Sequence, residues 1–273
     1  MLRLVGFDKE GVPCSFGTAF VLRSYLLVTA RHVVEEFLKR ATPDDSPYEF
    51  SFTFWAIQIE WRGEEHRYNI WQVVNIYFSA HSDICLLHVG AYNDTAAEYP
   101  NWKCFPVSLD PPSVGEKVIG FGFHATCLDG SRVRRNGGCE HLELNDQASK
   151  SVGHVKQIYM LGRDSAMLPF PCFEVDCRFD PGMSGGLVIN STSELIGVIC
   201  SSMIVEKENF SHVAMIWPVM AILVDFRHDG PPPNGRQPLS KLVDYGIWRP
   251  RGWERVIVEM QPNTSIPKVT YLG

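Results

Sequence analysis

Three short segments carry residue types that can do nucleophilic chemistry together. Thr29-Ala30-Arg31-His32 closes an apolar run and opens a helix-like stretch. Ser82-Asp83-Ile84-Cys85-Leu86-Leu87 sets an acid at the mouth of another apolar run. Asp180-Pro181-Gly182-Met183-Ser184-Gly185-Gly186-Leu187-Val188 holds a serine in a glycine-rich turn. A serine hydroxyl is a poor nucleophile at its free pKa, so a neutral imidazole must take its proton. That imidazole needs a carboxylate to hold one tautomer and to stabilise the positive charge it later carries. A tetrahedral oxyanion needs preorganised N–H donors, and glycines let the amides of Gly182 and Ser184 converge on one spot. Taken singly, His32 reads as a structural corner histidine, Asp83 as a strand-start acid and Ser184 as a turn serine. In this order and context they have the makings of an acyl-transfer site.

The elements that must position them are strands. Gly17 to Leu22 and Tyr25 to Ala30 flank Arg23-Ser24 as a hairpin. Phe50, Phe52, Phe54, Ile57, Ile59 and Trp61 form a stripe that ends at Arg62-Gly63. Further apolar runs cover 73–78, 84–89, 117–122, 155–160, 172–177, 187–189, 195–200 and 213–217. Many short runs with alternation and turn signals, without a βαβ rhythm, predict an all-β sandwich or barrel. Helices are expected only over 32–40 and 218–226, where Pro218 suits a first helical position. Asp110 to Gly115 forms a joint that divides the chain into residues 1–110 and 111–228. A linker and C-terminal extension follow over 229–273. Residues 129–151, polar and glycine-containing, read as a long surface loop. The aromatic tail over 240–273 is expected to pack back on the second half; docking a partner or inhibiting the site is the alternative.

Composition narrows the function. The chain has 273 residues, 31 acidic against 25 basic side chains and a net charge of −6. These are globular values, and an isoelectric point near 5.8 argues against a duplex-binding protein. No apolar run is long enough for a membrane helix. The N-terminus lacks the apolar centre of a secretory signal, and no Cys-x-x-Cys occurs among the eight cysteines. The expectation is therefore buried, reduced thiols and a cytoplasmic protein. The remaining histidines lack ligand spacing, so no metal and no cofactor are expected. His81, two residues from Asp83, reads as a rim residue.

The three segments resemble the signature islands of the chymotrypsin-fold (trypsin-like) serine peptidases. The nearest branch is the bacterial one that includes the HtrA/Deg proteases, without a PDZ domain. Glu194 to Val198 and Ile216 to Val219 follow that branch's order after the nucleophile turn, and the resemblance covers residues 12 to 226. It implies two six-stranded antiparallel β-barrels with a short C-terminal helix and tail. His32 is then the general base, Asp83 its orienting carboxylate and Ser184 the nucleophile, with Gly182 and Ser184 supplying the oxyanion-hole amides. Ile199, Cys200, Ser201 and Ser202 would pair with an extended substrate.

Arg178 and Phe179 precede the nucleophile turn and would line the pocket for the substrate side chain before the cut (P1). His212 would add a donor on its far wall. Arg178 at the pocket floor would favour an acidic P1; pointing to solvent, it would leave the pocket apolar. Met183 stands where trypsin has the acid that pairs with a newly cut N-terminus. Activation through that ion pair is therefore not available, and the loops must be ordered by intrinsic packing or by a protein partner. Val33 replaces a disulfide cysteine of secreted trypsins. The function implied is a serine endopeptidase acting on protein or peptide substrates. The alternatives are a catalytically silent peptide-binding or scaffolding module, and an enzyme that needs an activating partner.

Overall fold

The computed structural model describes residues 1–41, 53–62, 65–98, 100, 102–130, 142–205, 208–227, 232–261 and 264–273. Six strands form the first closed barrel: β1 (Leu2–Phe7), β2 (Pro13–Arg23), β3 (Leu26–Ala30), β4 (Phe54–Arg62), β5 (Glu65–Phe78) and β6 (Ile84–Ala91). Their order around the barrel is β1-β2-β3-β6-β5-β4, every pair antiparallel. Phe50 and Phe52 of the aromatic stripe lie outside the described residues. The β2–β3 turn sits one residue later than the sequence suggests. A bulge between Val21 and Arg23 shifts the register, so Arg23 pairs with Leu26 and Tyr25 takes φ 62°. Helix α1 (Arg31–Ala41) follows β3 and buries Val33, Val34 and Phe37 against the barrel. The short helix α2 (Asp94–Glu98) closes this half.

The second barrel contains β7 (Lys117–Gly130), β8 (Leu142–Tyr159), β9 (Cys172–Val175), β10 (Leu187–Ile189), β11 (Leu195–Val205) and β12 (Glu208–Met215). It closes in the order β10-β11-β12-β9-β8-β7. The stretch read as a surface loop over 129–151 is corrected here. Residues 131–141 lie outside the described residues, but 142–151 belong to β8 and pair with β7. Leu142, Leu144 and Asp146 alternate with Glu143 and Asn145, so one face of this ribbon is free to pack. Leu128, Leu142 and Leu144 cover Val5, Phe7, Trp55 and Ile57 on the outside of the first barrel. The polar residues of the ribbon occupy its other face, which is why composition alone suggested a loop.

One step further along that face is a buried ion pair between the barrels. Arg3 of β1 donates from Nε to Asp146 Oδ2 at 3.0 Å and from Nη2 to Asp146 Oδ1, with both side chains almost wholly buried. Its guanidinium also lies 4.7 Å from the centre of the Phe123 ring. A charge removed from water in this way depends chiefly on its partner, and Arg3 Nη1 also donates to Gly17 O at 3.5 Å.

The closing helix expected over 218–226 is also corrected. A 3-10 turn at Trp217–Ala221 carries Pro218 as its second residue, an early position that proline favours, but Leu223–Phe226 forms strand β13, paired with β14 (Gly235–Pro238). The tail continues through α3 (Lys241–Asp244) to a hairpin of β15 (Val256–Met260) and β16 (Pro267–Tyr271). Leu239, Leu242 and Val256 are buried in the main core. Arg251 N–H donates to Val107 O at 2.9 Å, the Tyr271 hydroxyl donates to Asp110 at 3.0 Å, and Pro267 O meets His81 Nε2 at 2.6 Å. The tail thus grips the joint between the barrels and the first barrel's rim, not the second barrel alone.

Removing one member of the buried pair should be far worse than removing both. Arg3→Met or Asp146→Leu should each cost about 3–5 kcal/mol of unfolding free energy, whereas the double substitution should recover most of the loss. Urea denaturation of the three variants checks this.

Candidate active site

Each of the three segments is placed by a strand end. Asp83 lies immediately before β6, and β3 pairs with β6 so that Ala30 stands opposite Ile84. That register brings Asp83 beside the first residues of α1. Asp83 O accepts the Arg31 N–H at 3.2 Å. Its carboxylate accepts the His32 N–H on Oδ1 at 2.9 Å and meets His32 Nδ1 on Oδ2 at 2.7 Å. A carboxylate only accepts, so Nδ1 carries the ring proton and Nε2 is left with its lone pair. The His32 side chain is 44% exposed against 12% for Asp83, which sets the acid inside and the base at the surface. Burial alone would lower the His32 pKa; the hydrogen bond and charge of Asp83, helped by Glu35, outweigh it and raise the pKa above 6.5.

Ser184 sits in the turn before β10. Gly182 has φ 95° and Gly185 φ 81°, conformations that suit glycine. A side chain at Gly185 would also drive into Thr18 O and Thr29 Oγ1, so glycine lets this turn press against the end of β3. Inside the turn, Met183 N–H donates to Asp180 O at 3.0 Å, Gly185 N–H to Ile199 O at 2.9 Å and Gly186 N–H to Met183 O at 2.8 Å. The N–H groups of Gly182 and Ser184 have no acceptor among the described residues. Met183 itself is wholly buried, its sulfur accepting the Asp180 N–H at 3.3 Å. An apolar side chain therefore fills the position before Ser184.

Cys200 joins the Asp83 and Ser184 segments. A bulge between Ile199 and Ser201 leaves it out of the β11–β12 register. Its carbonyl accepts the Ser184 hydroxyl at 3.4 Å, and its thiol faces Asp83. Burial pushes that thiol's pKa up, and the Asp83 carboxylate pushes it further. Ser184 Oγ and His32 Nε2 share no hydrogen bond among the described residues. Catalytic hydrogen bonds are commonly loose before substrate arrives.

A cavity of about 260 Å³ opens beside Ser184, lined by Arg178, Phe179, Asp180, Pro181, Ile199, Ser201 and Ser202. Arg178 pairs with Asp180 at 3.2 Å and both are partly exposed. Phe179 contributes little more than backbone, since its ring packs over Gly120. Ser202 and Ser211 satisfy one another and the Phe179 backbone. His212 is absent from the lining. It is wholly buried on the other face of β12, where Arg163 meets its Nε2 at 3.1 Å and Glu174 at 3.4 Å. Adjacent strand residues point to opposite faces, and Ser211 is the one turned towards Phe179 and Ser202. Beyond Val198, where β10 ends its pairing, Ile199 exchanges backbone bonds with Gly185 and Gly186 at 2.9 Å each and is not open to a substrate strand as expected, whereas residues 200–205 have no strand partner opposite β12 among the described residues.

Residues that the sequence did not single out also meet the turn, above all Thr18 of β2. No group of three or more His, Cys, Asp or Glu side chains among the described residues is placed to hold a metal ion. No helix among them is long and apolar enough to cross a membrane.

The trypsin-like peptidase domain family matches residues 17–198, two thirds of the chain. The chain belongs to the trypsin-like peptidase family. Among solved structures, it is similar to the active form of the Rv3671c protease from M. tuberculosis, at 15% identity and a TM-score of 0.50, covering 92% of this chain and 83% of that one. It is similar also to the HtrA-type protease AlgW with a decapeptide, at 14% identity and a TM-score of 0.50, covering 96% of this chain and 69% of that one. At these identities the likeness shows the fold: the double barrel with HtrA-type relatives. No protein of curated function matches the sequence.

The Asp83–His32 bond has a measurable signature. By NMR, His32 should titrate above 6.5, and Asp83→Asn should move that titration downward, because burial then acts with little opposition. A raised folded-state pKa stabilises the fold fully below the unfolded value near 6.5, and that contribution is lost as pH rises through the folded value.

Proposed function

We propose that the protein is a serine endopeptidase whose triad is His32, Asp83 and Ser184. Ser184 Oγ attacks the substrate carbonyl while His32 Nε2 takes its proton, and Asp83 stabilises the imidazolium. The amides of Gly182 and Ser184 receive the oxyanion. His32 then gives its proton to the leaving amine, and water releases the acyl group by the same steps in reverse roles. The edge at 200–202 receives the substrate as an added strand; Ile199, whose N–H and carbonyl are taken by Gly186 O and Gly185 N–H, does not pair with it. The observation that carries the proposal is the carboxylate of Asp83 holding His32 by both its backbone N–H and its Nδ1, with the free amides of the serine turn alongside.

The size of the cavity and the Arg178–Asp180 pair at its rim favour a small, uncharged P1 residue over an acidic one. The unpaired state of the six described cysteines accords with a reducing, cytoplasmic setting. A silent peptide-binding module is the second reading, and one observation favours it: the Ser184 hydroxyl donates to Cys200 O, not to His32. In a third, a protein partner draws Ser184 and His32 together.

Ser184→Ala should reduce kcat by about 10⁴–10⁶ with the fold intact, and Ser184→Ala/His32→Ala should be little worse. Covalent labelling of wild-type Ser184 by a fluorophosphonate separates enzyme from silent module. Failure to label under any condition supports the module. In a peptide panel varied only at P1, valine and alanine should be cleaved ahead of aspartate and glutamate. The reverse order would assign Arg178 to an acidic P1, and Arg178→Ala should then abolish it.

A further inference from the structure

Thr18, in the middle of β2, has every polar group committed and is wholly buried. Its N–H donates to Ser184 O at 2.9 Å, and its carbonyl accepts the Thr29 hydroxyl at 2.7 Å. Its own hydroxyl lies 2.9 Å from the Phe123 N and 3.0 Å from Gly182 O. A backbone N–H can only donate, and a hydroxyl has one proton. The direction of the chain is therefore forced: Phe123 N–H to Thr18 Oγ1, and Thr18 Oγ1–H to Gly182 O. A first-barrel residue thus holds two carbonyls of the second barrel's nucleophile turn, and its hydroxyl is anchored in turn by β7.

The two carbonyls are the ones that matter for the oxyanion site. Gly182 O belongs to the peptide unit 182–183 and Ser184 O to the unit 184–185. The free N–H groups belong to the alternate units, 181–182 and 183–184. Fixing every second peptide plane leaves those between with little freedom, although Gly182 by itself could adopt many conformations. The pair Arg3–Asp146 backs the latch, since Arg3 is the cross-strand partner of Thr18 and a side chain at Gly182 would approach Arg3 Nη1.

We propose that Thr18 is a positioning residue that holds the oxyanion-binding turn permanently in its working form. It does from inside the first barrel what the ion pair of the acid missing at Met183 would otherwise do. The inference rests on the serine-peptidase reading for its effect on rate, but not for its effect on the turn. It gives the free chain an ordered site without cleavage and without a partner.

Thr18→Val keeps the shape and the backbone bond to Ser184 but loses the hydroxyl; Thr18→Ser keeps the hydroxyl. In folded Thr18→Val, kcat should fall about 10²-fold with KM little changed, the scale of a small misplacement of reacting groups. Thr18→Ser should restore it to within a few-fold, and the pH dependence governed by His32 should not move. Amide hydrogen exchange over residues 180–186 should speed up in Thr18→Val and not in Thr18→Ser, while the rest of the second barrel exchanges as before. If Thr18→Val does not fold, Thr18→Cys, a weaker donor of similar size, takes its place. Unchanged exchange over 180–186, or a serine variant as impaired as the valine one, would overturn the proposal. A wild-type protein without turnover whose turn still responds to Thr18→Val would sustain the latch while removing the peptidase reading.

Discussion

Two closed barrels share no strand. Each closes its own ladder of hydrogen bonds, so what joins them is side chains, strand extensions, the chain that passes between and single backbone bonds such as Thr18 N–H to Ser184 O. The groups proposed to act together are divided across that seam, with imidazole and carboxylate on one side and hydroxyl and free amides on the other. A shift of an ångström between barrels would separate them. The seam is accordingly held by buried contacts of defined geometry: Arg3 with Asp146, Thr18 with the serine turn, and Cys200 between Asp83 and Ser184. Apolar packing of the β7–β8 ribbon over the first barrel supplies area, and the polar contacts supply register.

The same division explains the electrostatics. Asp83 is at the inner end of the site and His32 at the outer, so a proton can reach the imidazole while its counter-charge stays shielded. Burial opposes charge on His32 and Asp83 favours it; the carboxylate prevails and the base is kept stronger than a free histidine. Cys200, next to the acid, is held as a thiol by the same field. A neutral neighbour there leaves the carboxylate's charge to the imidazole.

The tail has a comparable structural logic. In place of a closing helix, β13 and the β15–β16 hairpin cover the joint, and Trp217 packs 5.9 Å from Tyr271. A cavity of about 450 Å³ lies behind Asp83 between this hairpin and the segment around Phe170. Pro218 signalled a helical start, but Ile222, Leu223 and Val224 favour an extended chain, and the partner strand that holds them comes from beyond the proline-rich linker.

Local features were legible in the sequence because they depend on neighbours along the chain. The period of the apolar runs marked most of the strands and an all-β architecture, the family resemblance implied the two barrels, and glycines with a serine between them marked a turn with positive φ at Gly182 and Gly185. The spacing of His32, Asp83 and Ser184 marked the segments worth joining. What tertiary structure decided was direction and partner. A strand's two faces look alike until the barrel closes, so which of His212 and Ser211 faces the Phe179–Ser202 side could not be assigned beforehand. Leu142, Leu144 and Asp146 had a face but no visible surface to meet, because that surface belongs to β1 and β4. Thr18 looked like any strand threonine: a hydroxyl's role is set by what lies within 3 Å of it, and here that is a turn 164 residues further along the chain.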